Sequence, residues 1–213
     1  MLFHLVKKDF MIAKKYVLLM LIVSFLIPLF MLWRIPDYAG PMGFILSVIF
    51  AVFMLLQNVS LKEFQYPKAS LLLCATPYPR YMLVLSKYLF CIIIYGVCCA
   101  VFGVETLFFS ALGGFHFEIA ILMLFVIAVF IGTYFPVQYK LGYEKTKYAF
   151  AVIIMASPFI LPSLLKMEDL GRINFTIPIP PMLLYGGLIF ASLIILIVSA
   201  IISVRFYQKT DLE

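Results

Sequence analysis

Long apolar stretches alternate along this chain with short segments that carry most of its charge. A helix that crosses a bilayer needs about 20 mostly apolar residues. Stretches of that kind lie at 16–35, 41–61, 82–112, 117–138, 147–165 and 183–204. The third is long enough to cross with a tilt or to project beyond the hydrocarbon. The pattern predicts an all-α integral membrane protein: six transmembrane helices in a single membrane domain over residues 1–213. The stretch from Tyr16 to Trp33 exceeds the roughly 7–15 apolar residues of a signal peptide, and no small-residue cleavage site follows it. It is expected to remain as the first membrane helix.

Composition supports this reading. Hydrophobic residues make up 65% of the chain and charged residues 12%, against roughly 45–50% and about 25% in a soluble domain. One core of this size cannot hide so much apolar surface, so lipid must solvate much of it. The net charge of +6 is concentrated in particular segments. If the N-terminus is cytoplasmic, the inner segments hold Lys7, Lys8, Lys14 and Lys15; Lys62, Lys68, Arg80 and Lys87; Lys140, Lys145 and Lys147; and Arg205 and Lys209. The outer segments hold only Arg34, Lys166 and Arg172 of the 16 basic residues. This asymmetry follows the positive-inside rule and predicts that both termini are cytoplasmic. The basic balance is thereby accounted for without a nucleic-acid partner. Cys74, Cys91, Cys98 and Cys99 lie in or beside apolar stretches, without disulfide or metal spacing, where Cys acts as a small hydrophobe.

Three segments outside the spans carry information. In residues 1–15, Phe3, Val6, Phe10 and Ala13 recur at helical spacing, while Lys7 with Lys14 and Lys8 with Lys15 share a polar side. This predicts a basic amphipathic helix in the membrane interface. The loop 62–80 contains Pro67, suited to a first helical turn, and Pro77 and Pro79, which stop a helix. Between them lie about ten residues, a helix of about 15 Å that is too short to cross lipid. Its Leu71, Leu72 and Leu73 suit either a protein partner or the membrane interface alone. The outer loop 165–182 holds Pro178, Pro180 and Pro181, which disfavour a continuous helix.

Catalytic signatures are missing. The chain has no G-x-x-x-x-G-K-[ST] phosphate loop, no H-E-x-x-H zinc motif and no G-x-S-x-G elbow. Its two histidines, His4 and His116, are far apart in sequence and read as interfacial residues. Glu105, late in the third span, has two readings. It is either a carboxylate solvated near the outer interface or a group acting in gating or substrate passage. Gln57 and Asn58 fit a role as interhelical glue near the end of the second span.

The loops are more specific. The run "EFQYPKASLLLCATPYPRYMLVLSKYL", from Glu63 to Leu89, resembles the ABC-2 type permeases of ATP-driven transporters. Those permeases often carry "LLxSLPxSRxxxVxxKYL", matched here by Leu72, Leu73, Pro77, Arg80, Val84, Lys87, Tyr88 and Leu89, with Glu63 in the preceding charged cluster. The run "FPVQYKLGYEKTKY", from Phe135 to Tyr148, resembles the family's "PxxFKFGYEKxR" through Pro136, Lys140, Gly142, Tyr143, Glu144 and Lys145. The basic, aromatic ending "SVRFYQKTDLE" is similar as well. The chain departs from the pattern at Leu61-Lys62-Glu63 and at Cys74-Ala75-Thr76.

The resemblance spans essentially the whole chain and is nearest to small permeases of bacterial exporters for phenol-soluble modulins and related amphipathic peptides. It implies a type V exporter-like permease architecture in the bacterial cytoplasmic membrane. Two permease subunits, identical or paralogous, would pair above two copies of a cytoplasmic ABC ATPase. ATP and Mg would bind that ATPase, and this chain would hold no cofactor. Pro67, Lys68, Ser70, Leu71, Leu72, Leu73, Pro77 and Arg80 would form the coupling helix and its flank. Lys140, Gly142, Glu144 and Lys145 would form a second cytoplasmic loop. Few polar groups lie at membrane depth, which favours amphipathic or hydrophobic cargo over strongly polar solutes. The competing classes are an ion-coupled secondary carrier or accessory scaffold, and a membrane-embedded enzyme. A carrier is expected to show broken helices and midplane charges, and an enzyme needs a cluster of catalytic side chains at one depth.

Overall fold

An apolar chain in lipid must satisfy its backbone hydrogen bonds internally, and uninterrupted apolar runs do so as helices. The computed structural model describes residues 2–34, 39–66, 79–109, 112, 117–170 and 181–209. Among the described residues the chain forms seven helices and no strand: α1 Leu2–Ile12, α2 Lys14–Arg34, α3 Ala39–Gln65, α4 Arg80–Phe108, α5 Phe117–Leu141, α6 Tyr143–Leu170 and α7 Pro181–Lys209. Five of them, α2, α3, α4, α5 and α7, are long and apolar enough to cross a membrane. The predicted span 147–165 falls within α6, whose side chains beyond residue 156 lie outside the described set.

The core sits around α3. Two thirds (67%) of its apolar stretch is buried, against 17% in α2 and in α7, so those two helices turn most of their surface outward. α2 lies along α3 through Met20, Ser24 and Pro28, spaced one turn apart. A Cβ on Gly43 would come within 2.8 Å of the Pro28 Cα, so glycine is what allows the two backbones to approach there. α4 packs against α1, α2, α3, α5 and α7. α7 lies along α5, where Ile195 reaches within 3.0 Å of the position a Cβ on Gly132 would take. Rings fill the space between helices: Phe44 against Phe102 at 4.9 Å, Tyr88 against Phe135 at 4.6 Å, and Tyr134 against Phe150 at 4.9 Å.

The structure alters several expectations. α1 ends at Ile12 and α2 begins at Lys14, earlier than the expected boundary at residues 15–16. Ala13 is a turn, its N–H donating to the Asp9 carbonyl while Tyr16 and Val17 donate to its own carbonyl. Of the apolar set Phe3, Val6, Phe10 and Ala13, Val6 and Ala13 are buried while Phe3 is 76% exposed, and Leu5 and Asp9 are buried as well. Phe10 of the same set seats edge-on against Phe90 of α4, 4.8 Å between centroids. The third span ends at Phe108 rather than at 112. Pro28 sits inside an unbroken α2, and α6 runs through positions 158 and 162 without interruption. Helix α6 continues through residues 165–170 of the expected outer loop, residues 171–180 lie outside the described set, and α7 begins at Pro181.

The loop expected between 138 and 147 shrinks to one residue. Gly142 has φ +84° and donates its N–H to the Gln138 carbonyl, closing α5 with a left-handed cap. α6 begins at once, and Thr146 Oγ1 donates back to the Gly142 carbonyl at 2.8 Å. A side chain at 142 would be strained in that region of backbone space.

Candidate functional site

The end of the bundle that carries α1 gathers charge from three helices and an aromatic ring from a fourth. Docking α1 on α4 turns Asp9 inward, and the residue has 0% exposure. Lys8 Nζ lies 3.1 Å from Asp9 Oδ1 and 3.7 Å from Glu63 Oε1 of α3. The approach to Asp9 lacks hydrogen-bond alignment, so both Asp9 oxygens remain without a donor among the described residues. Lys87 of α4 pairs directly with Glu63 Oε2. Its ammonium also lies 5.5 Å from the ring centroid of Tyr139 in α5. One line of alternating charge, Asp9–Lys8–Glu63–Lys87, therefore ties α1, α3 and α4 together and ends on an aromatic face of α5. Burial pushes the Asp9 carboxyl above its usual range, and Lys8 pulls in the opposite direction.

Beside this line lies a cavity of about 530 Å³. α1 contributes Lys8 and Ile12; α3 contributes Ser60, Lys62, Glu63 and Phe64; α4 contributes Leu83 and Lys87. Gln138 and Tyr139 of α5, Tyr143 of α6, and Tyr66 and Tyr207 complete the wall. The lining is mainly aromatic and apolar, with cations set into it. Such a surface can hold a molecule with one charged end and an apolar body.

Deeper in the bundle, the Tyr88 hydroxyl lies 2.6 Å from Ser199 Oγ and 2.8 Å from Ser203 Oγ of α7, and Ser199 Oγ donates to the Gly132 carbonyl of α5 at 2.8 Å. All three hydroxyls are satisfied if Ser203 donates to Tyr88, Tyr88 to Ser199, and Ser199 to Gly132. Gln57 accepts a long hydrogen bond, 3.5 Å, from the Tyr143 hydroxyl, as interhelical glue should. Asn58 instead bonds back to Met54 in its own helix.

Most of the coupling segment, Pro67, Lys68, Ser70, Leu71, Leu72, Leu73 and Pro77, lies outside the described residues. Arg80 opens α4, but its side chain lies outside them too. The structure does fix where that segment begins and ends: α3 leads into it and α4 leads out, and the Glu63–Lys87 pair holds these two stalks together. Lys140, Gly142, Glu144 and Lys145 are all exposed at the α5–α6 junction, with Lys140 Nζ 5.9 Å from the Phe206 ring centroid of α7. Glu105, read either as solvated near the outer interface or as acting in gating or substrate passage, has 0% exposure and no donor for either oxygen among the described residues. Burial follows from its place on the inward side of α4, near the Phe44–Phe102 contact. The same residues contain no group of three or more His, Cys, Asp or Glu placed to hold a metal.

Sequence reasoning marked Glu63 and Lys87 as motif residues but did not pair them, and it passed over Asp9 and Lys8 as a site. The available signal was a single acidic residue within an otherwise basic α1.

No curated protein and no solved structure matches this chain. The family model described as "ABC-2 family transporter protein" matches residues 4–208. That match, together with five apolar helices of spanning length, describes a multi-pass membrane permease whose family works with an ABC ATPase. The chain belongs to the ABC-2 transporter family.

Proposed function

We propose that this chain is the transmembrane subunit of an ATP-driven exporter. Paired with a second permease subunit, identical or paralogous, it forms a pathway for amphipathic or hydrophobic substrates, peptides in the first place. Two copies of a separate cytoplasmic ATPase bind ATP and Mg and drive transport. The protein sits in the bacterial cytoplasmic membrane with six spans and both termini inside.

The observation that carries this reading is the clamp at the base of the 67–78 segment. A loop that receives force from a partner must hand it to the membrane helices, and Glu63 and Lys87 hold both of its stalks while Lys8 brings α1 into the same line. Exposed Glu144 and Lys145 offer a second contact at the single-residue α5–α6 turn. The long apolar helices, with few polar groups at membrane depth, support an amphipathic cargo.

Co-purification with the cognate ATPase, followed by reconstitution and ATP-dependent vesicle uptake, tests the proposal. Leu72→Asp should abolish ATPase recruitment while membrane insertion persists, because a groove that accepts Leu would have to bury an unpaired carboxylate. Amphipathic peptides should stimulate ATP hydrolysis. Unchanged recruitment by the variant overturns the coupling role, and transport of a polar oligosaccharide with no response to peptides overturns the cargo class. Buried Glu105 favours one second reading, an ion-coupled carrier. Uptake driven by a proton gradient without ATP would establish it.

A further inference from the structure

Three ammonium groups, on Lys8, Lys62 and Lys87, line the cavity against the single carboxylate of Glu63. Glu63 is shared by Lys8 and Lys87, and Asp9 also faces Lys8, which leaves Lys62 without an ion pair among the described residues. Lys62 donates only to Gln65 Oε1 at 3.3 Å and lies 5.9 Å from the Tyr66 ring centroid. The cavity is therefore positive with its internal pairs intact.

A second observation is independent of charge. Gln138 is 9% exposed, lines the cavity, and its Oε1 has no donor among the described residues. A buried amide oxygen without a partner is destabilising, so this position calls for an N–H or O–H from whatever fills the space. The depth is also defined. Lys62 lies in the last turn of α3, Gln138 in the last turn of α5 and Lys87 within the first turns of α4, where apolar helices emerge from hydrocarbon. Basic pockets between membrane helices at that level suit anionic lipid headgroups.

We infer that this cavity is a binding site for the headgroup of an anionic phospholipid that carries a hydroxyl, with Lys62 and its neighbouring ammoniums facing the phosphate and Gln138 accepting from the headgroup hydroxyl. Phosphatidylglycerol has both features; phosphatidylcholine has neither a net charge nor a donor. The tyrosines and Phe64 at the rim suit the glycerol and upper acyl region. The site does not depend on the identity of any cargo.

The full-length chain, purified in detergent and delipidated, is titrated with phosphatidylglycerol or phosphatidylcholine of identical acyl chains, and bound lipid is counted by native mass spectrometry. The wild type should retain phosphatidylglycerol severalfold better. Lys62→Gln should lower that retention about fivefold, one lysine's share of attraction to an anionic headgroup, with an unchanged unfolding midpoint because Lys62 holds no ion pair among the described residues. Gln138→Leu should lower it as well, and exposed Lys145→Gln should not. Equal retention of the two lipids, or no effect of Lys62→Gln, overturns the site. Displacement of the lipid by soluble glycerol phosphate at equal concentration makes a free phosphoester the ligand and overturns the lipid source. Preferential occupancy by an acidic amphipathic peptide in place of either lipid assigns the cavity to cargo and overturns the proposal too.

Discussion

The two ends of α4 handle buried charge in opposite ways. Near its start, Lys87 is nearly enclosed, its side chain 11% exposed, but Glu63 meets it and Lys8 continues the line. About five turns further along the same helix, Glu105 is enclosed completely with no donor among the described residues. Burial is similar at both ends; partnership is not. A paired buried charge becomes a structural tie whose loss is costly, whereas an unpaired one is a standing penalty whose loss is harmless to the fold. The first kind positions helices. The second kind, retained in an apolar protein, points to use in function.

The sharpest way to break this contrast is Glu63→Ala. It strands Lys87 without a counter-ion and should cost about 3 kcal/mol, read as a clear drop in the thermal unfolding midpoint of the detergent-solubilised chain. The double change Glu63→Met with Lys87→Met should recover most of that loss, since no orphaned charge remains. A single variant as stable as the wild type would show that the ion pair is ornamental.

Glu105→Gln should behave differently, leaving the midpoint unchanged or raising it by up to about 1 kcal/mol, because the substitution removes charge without removing a partner. A loss as large as that of Glu63→Ala would mean that Glu105 has a partner in the assembled transporter.

The smallest effect concerns Asp9, intermediate between the two ends: charged neighbours, but no aligned donor. Well below the ordinary carboxylate range its carboxyl is neutral in both folded and unfolded chains. As pH rises towards its elevated folded-state value, the unfolded chain releases the proton more readily than the folded one, so stability falls through that window. Asp9→Asn lacks this titration. Its stability advantage over the wild type should therefore grow as pH rises above the ordinary carboxylate range. An advantage that is constant with pH, or shrinks, contradicts the assignment.

The membrane helices were legible because their signal is long and cumulative: 18 or more apolar residues outweigh any local exception, even Pro28 within α2. The α1 helix was legible in existence but not in orientation. Its periodicity grouped Phe3, Val6, Phe10 and Ala13, and only docking on α4, far away in sequence, adds Leu5 and Asp9 to the buried side and leaves Phe3 out. The one-residue junction at Gly142 was hidden because charged residues on both sides of it read as a loop, whereas they continue the two helices. The candidate site was half legible. Motif similarity located Glu63 and Lys87, but pairing residues 24 positions apart, and adding Lys8 to them, depends on packing that no local pattern encodes.

Evolution has little to hold on to in α7. Every fully buried side chain described there is a serine: Ser192, Ser199 and Ser203. The remainder of the helix is mostly aliphatic and turned outward, where lipid does not distinguish Ile from Leu or Val. Relatives of this chain should therefore exchange aliphatic letters along α7 almost at random. The small residues at 192, 199 and 203, and Gly132 opposite, should change only when something across the seam makes room. A helix that looks featureless by composition would then be recognised across diverged sequences by three small residues seven and four positions apart.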